Sequence, residues 1–274
     1  MGAVLFLHGG GPKPDAETLR SQWLQSLPDL ARAADEERVP AGMIHWADLA
    51  SAQEPSAADV EWMSGHLVGR AFREIDGKQG LGHDDSIGTT LGRGRADILI
   101  RDFAAYFGSD PSLRNAVRGR VRESIQHVAD HVDRILLVAH ELGSVIAYEV
   151  LTHRRYMPGG GDFEDIGDDL RSRIAFLTLG SPLGWLYDAE LAQYVRRSSK
   201  TFPRGLGRWT NVYDEKDPMV APPFLADPTL ADDFATFEHN PVDSPLQNPA
   251  PTPNSVYGYL STPPVSELVA SFIA

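Results

Sequence analysis

The sequence predicts an α/β protein, with a mostly parallel sheet carrying helices on both faces. Three observations predict it. Short apolar runs recur along the 274 residues and are continuous rather than alternating, as in strands buried on both sides. Stretches of helical period separate them. One buried run also passes through a tight turn directly into a helix. Taken in order, the strand-like runs are Ala3–Leu7, a second near Gly42–Trp46, Arg134–Ala139, Arg173–Leu179 and Arg208–Tyr213. Val117, Val121, Ile125 and Val128 recur at helical spacing and form an amphipathic helix leading into the third strand. Ser144–Leu151 continues as a helix after that strand. Pro264–Ile273 closes the chain as a helix, with proline in the favoured first turn.

Two stretches resist this pattern. Ala50–Arg101 is glycine-rich with few strand signals, and Asp214–Asn254 is proline-rich with little periodicity. Loops that long in a compact domain are commonly lids or binding segments. The expectation is one domain over residues 1–274 with a lid or cap inserted at about 50–110.

A formal charge of −13 argues against nucleic acid and anionic membrane surfaces as partners. The one basic cluster, Arg114 to Arg122, reads as the solvated face of a helix. No apolar run approaches a membrane span. The first residues run straight into Ala3–Leu7 with no basic region ahead, so no signal peptide and a cytoplasmic location are expected. With no cysteine, disulfides and a thiolate nucleophile are excluded. His140-Glu141 fails as a zinc helix, because the second histidine would fall at Ser144. No metal and no cofactor are expected. Trp46, Trp62 and Trp185 read as core or pocket walls, and Asp162–Asp169 and Asp232-Asp233 as solvated surface.

The most informative stretch is Ile135-Leu-Leu-Val-Ala-His-Glu-Leu-Gly-Ser-Val-Ile-Ala-Tyr148. A strand, a sharp turn and an immediate helix form the context of a nucleophile elbow, which presents one side chain at the C-terminal edge of a sheet. Ala139-His140-Glu141-Leu142-Gly143-Ser144 resembles the Gly-His-Ser-Leu-Gly-Ser motif of the serine lipases and esterases of the α/β-hydrolase family. His140, Leu142, Gly143 and Ser144 agree with it; Ala139 and Glu141 do not. The resemblance extends in chain order. His8-Gly9-Gly10-Gly11 resembles the oxyanion-hole loop, with His8 supporting the glycines. Thr178–Leu183 resembles the strand end after the elbow helix. Asn211–Val220 resembles the segment of the triad acid, with Asp217 the better match and Asp214 second. Asn254–Leu260 resembles the segment of the triad histidine. The resemblance implies an α/β-hydrolase fold whose nucleophile, acid and histidine positions are held by Glu141, Asp217 and Asn254. His8, Gly9, Gly10, Gly11, His140 and Leu142 would line the oxyanion or ligand site.

A serine hydroxyl needs an adjacent base to become nucleophilic. Glu141 has no hydroxyl and Asn254 accepts no proton near neutral pH, so an ordinary serine-esterase mechanism is closed here. Four readings stand. Glu141 could be a nucleophile, but its ester would need a base that Asn254 does not supply, with His239 in the loop before it as a candidate stand-in. It could be a general acid or base on a small apolar or acyl-type substrate, its pKa raised by desolvation and its carboxyl oriented by Asn254. The site could instead have decayed into a ligand- or partner-binding protein, with the Glu141 carboxylate accepting the N–H groups of Gly9–Gly11 and Leu142. Ester hydrolysis by unrecognised residues is the last. The acid–base reading leads. Ser144 and Ser181 are expected to be structural.

Overall fold

The structure is a computed structural model and describes residues 1–65, 93–152, 166–183, 206–220 and 242–274. Its centre is a six-stranded, all-parallel sheet: β1 (Gly2–Leu7), β2 (Ala41–Ile44), β3 (Arg134–His140), β4 (Ile174–Leu179), β5 (Arg208–Asp214) and β6 (Val242–Leu246). The spatial order is β2-β1-β3-β4-β5-β6. The chain moves outward from β1 to β2, then returns to lay β3 on the other side of β1. The order therefore reverses between β1 and β3, and open α/β sheets bind ligands in the crevice at such a reversal. The carboxyl ends there carry His8 and Glu141.

Alternation along the strands sends the apolar side chains to two cores. Val4, Phe6, Leu136 and Val138 pack with α1 (Ala16–Gln25), α2 (Pro28–Asp35) and the last helix, through Leu19, Trp23, Leu30 and Val265. Ala3, Leu5, Leu137 and Ala139 pack on the opposite face with Phe103, Val117, Val121 and Ile146. The helices of that face are α3 (Ala47–Ser51), α4 (Arg93–Phe107), α5 (Ser112–Ala129) and α6 (Leu142–Thr152). Further helices among the described residues are α7 (Asp168–Ser172), α8 (Val256–Leu260) and α9 (Pro263–Ile273). Asp15 caps α1 by accepting from the Thr18 N–H at 3.0 Å, and prolines open α2 and α9.

Two sequence readings need correction. The proline-rich stretch contains a strand, β6. It sits at the sheet edge and pairs only with β5 among the described residues, so Pro245 interrupts no interior ladder. The arginine cluster on α5 is not a solvated face. Arg114 and Arg118 are buried beside Glu149 of α6, whose Oε2 accepts from Tyr106 Oη at 2.6 Å and lies 3.9 Å from Arg118 Nε. The guanidinium that matters is paired across helices, with a residue 31 positions on, which periodicity cannot show. The stretch expected to form the lid ends in a regular helix. Residues 66–92 of it lie outside the described residues; residues 57–65 are helical, and α4 buries Leu99, Phe103 and Tyr106 in the main core. Among the described residues no helix is long and apolar enough to cross a membrane.

Candidate functional site at the strand reversal

β3 ends in His140, and the chain reverses at Glu141 before α6 begins at Leu142. Glu141 holds φ +51°, a left-handed conformation uncommon for a residue with a β-carbon. Its N–H donates to the Leu179 carbonyl at 3.0 Å, and its own carbonyl accepts from the Ser144 N–H at 2.9 Å. The Ser144 hydroxyl donates to the same carbonyl and meets Ser181 Oγ at 2.7 Å. Both serines are buried and brace the turn. Gly143 lets α6 approach β1 closely: a β-carbon there would lie 2.5 Å from the His8 carbonyl oxygen and 2.7 Å from that of Leu7. Leu142 is fully buried in the core.

Across the reversal, His8 is buried and its ring stacks on Trp46, centroids 5.1 Å apart. Nδ1 lies 2.7 Å from the Gly9 carbonyl, and Nε2 accepts from the Trp46 N–H at 3.0 Å. These partners assign Nδ1–H as the proton-bearing nitrogen. Burial pushes its pKa down to about 3, so the ring is neutral. His8 is therefore a brace for the glycine loop. Gly9 faces the elbow, where a β-carbon would sit 2.3 Å from Glu141 Oε2 and 3.1 Å from His140 Nδ1. The Glu141 carboxyl, on a residue only 2% exposed, thus lies against the glycine loop.

The third side comes from the end of β5 and from α8. Asp217 is buried and its carboxylate gathers donors: the Met219 N–H at 2.9 Å, Tyr259 Oη at 2.7 Å and Asn254 Nδ2 at 3.2 Å from both oxygens. Burial nevertheless dominates and pushes its pKa up to about 6. Asn254 is fully buried, and its backbone carbonyl lies 3.1 Å from His140 Nε2, which ties it to the elbow. Asp214, the second candidate, accepts instead from the Lys216 and Asn248 N–H groups and shapes the turn. Glu141, Asp217 and Asn254 therefore converge with His8, Gly9 and His140 at the C-terminal edge of the sheet.

No protein-family model and no curated protein matches the chain. Geometry alone carries the functional reading.

Two participants escaped the sequence reading. Tyr259 Oη donates to Asp217 and accepts from the Asp214 N–H at 3.0 Å, joining both acids. Asp102 of α4 reaches the glycine loop, where its Oδ2 accepts from the Gly11 N–H. The reading of a decayed site gave that donor to Glu141; Asp102 holds it. The helical recurrence of Leu99, Phe103 and Tyr106 was the available signal for α4. Lys13 caps the Gly10 and Gly11 carbonyls beside it. Ser181 and Trp46 are buried structural residues, Trp62 packs against the core, and Asp168 is exposed. Trp185, His239 and Asp232-Asp233 lie outside the described residues. Among the described residues no three His, Asp or Glu side chains are grouped as metal ligands.

Proposed function

We propose that this chain is an α/β-hydrolase-fold protein, with its lid near residues 50–110, that has exchanged the serine–histidine pair for Glu141 and Asn254. Glu141 is its proton-transfer group, acting on a small apolar or acyl-type substrate in the cytoplasm. The observation that carries this reading is the elbow: Glu141 keeps φ +51°, at a cost of about 1–2 kcal/mol. Strained backbone of this kind clusters at functional sites, where the surroundings over-determine it. The parallel sheet with its reversal between β1 and β3, and the Asp217–Asn254 pair bound to the elbow through His140, support the same assignment.

Proton transfer can be read without knowing the product. Acyl esters, thioesters and ketones of short chain length, incubated in deuterated buffer, would exchange hydrogen next to the carbonyl if Glu141 acts as a base. Exchange by the wild type that is lost in Glu141→Gln is the expected result. A second reading, a non-catalytic binding protein, is favoured by one fact: the carboxyl is buried against Gly9 rather than open to solvent. An absence of exchange across the panel would select it. The same panel tests ester hydrolysis. The wild type is expected to be inert and Glu141→Ser/Asn254→His to gain turnover, and enzyme-like hydrolysis by the wild type would overturn the assignment.

A further inference from the structure

A cavity of about 400 Å³ opens beside the glycine loop, between that loop, α3 and α4. That size is in the range of small-ligand sites. Much of its wall is apolar, from Pro12, Trp46 and Ile98; Gly11, Lys13 and Asp102 form its polar end. At that end a carboxylate is already bound. Asp102 Oδ2 accepts the Gly11 N–H and lies in the field of the Lys13 ammonium. The approach is built in, since a β-carbon on Gly10 would stand 2.9 Å from that oxygen. The other carboxylates on the wall are committed elsewhere, Asp15 to the start of α1 and Asp48 to Arg120.

We infer that this cavity binds a small carboxylate with an apolar tail, and that Asp102 occupies the head-group position until such a ligand displaces it. A ligand carboxylate meets the same N–H donor and the same ammonium that hold Asp102, and both are stronger partners for a charged acceptor than for a neutral one. The tail then covers Ile98, which is 38% exposed. Burial raises the pKa of Asp102 and so makes its carboxylate easier to give up. Glu141 does not line the cavity.

The test is calorimetric titration of the whole chain with octanoate, with acetate and inorganic phosphate as comparison probes. Asp102→Ala is expected to bind octanoate at least about tenfold more tightly than the wild type, because a competing charge-assisted contact is gone. Adding Lys13→Gln to that variant is expected to lose about tenfold again. Acetate, without a tail, should bind more weakly than octanoate, and the Trp46 indole N–H resonance should shift on binding. Asp102→Asn, which keeps the side-chain shape, decides the matter if the alanine variant does not fold, and should also tighten binding. Equal octanoate affinity in a folded Asp102 variant and the wild type overturns the proposal, as does phosphate binding as well as octanoate. The readout is binding, so it fails or succeeds separately from the deuterium exchange assigned to Glu141.

Discussion

On the β1 side of the site a buried imidazole is held neutral, with one ring nitrogen on the Gly9 carbonyl and the other on the Trp46 N–H. On the β5 side a buried carboxyl gathers donors from Met219, Asn254 and Tyr259. Both groups are desolvated, yet the two sides respond to acid in opposite senses. The Asp217 pKa is raised from 3.8 to about 6, so its contribution to stability is complete below pH 3.8 and is lost as pH rises through 6. The His8 pKa is lowered from 6.5 to about 3, so its contribution is complete above pH 6.5 and is lost as pH falls toward 3. Between about pH 4 and 6 the two slopes oppose each other. Burial by itself thus fixes no pH dependence; what matters is whether the buried group is an acid or a base.

Breaking one side should expose the other. Relative to the wild type, Asp217→Asn is expected to lose stability on acidification from pH 6 to 4, by about 2 kcal/mol over that window. His8→Gln should show the reverse slope over the same window. Urea denaturation at half-unit pH steps measures both, and parallel curves for the three proteins would falsify the assignment. An effect of similar size comes from the close approach of α6 to β1. Gly143→Ala should cost about 2–3 kcal/mol, because the new β-carbon overlaps two backbone oxygens that cannot step aside.

A smaller effect sharpens the placement of Glu141. Gly9→Ala should be destabilising in the wild type and milder in Glu141→Gly, which removes the two Glu141 atoms it would strike. A coupling of about 1 kcal/mol in the double-mutant cycle is expected, and none would mean the carboxyl lies elsewhere. Smallest of all, Gly119 on α5 has open space around its β position, so Gly119→Ala should stabilise by somewhat under about 1 kcal/mol, seen as a rise in Tm.

The strands were legible because a parallel strand buried on both faces writes its burial as an unbroken apolar run, as in Ile135–Ala139. β6 was not, since Val242-Asp-Ser-Pro-Leu246 carries no such run and relies on its neighbour β5. The elbow was legible from strand, turn and helix in succession. Asp102 and Tyr259 were hidden for a different reason. Each acts through a contact with a distant element, Asp102 with a loop 91 positions away and Tyr259 with an aspartate 42 positions away. The buried Arg118, which faces Glu149, was misjudged on the same ground, since local pattern reports which face a residue shares but not what packs on that face.

The Tyr106–Glu149 bond has a mechanical meaning. Tyr106 lies one helical turn beyond Asp102 on α4, and Glu149 sits two turns into the helix that Glu141 opens. One buried strut thus links the helix that plugs the glycine loop to the helix that begins at the elbow. The helix that carries Asp102 and the helix that begins at the elbow are therefore pinned to each other inside the core, two turns from the elbow itself.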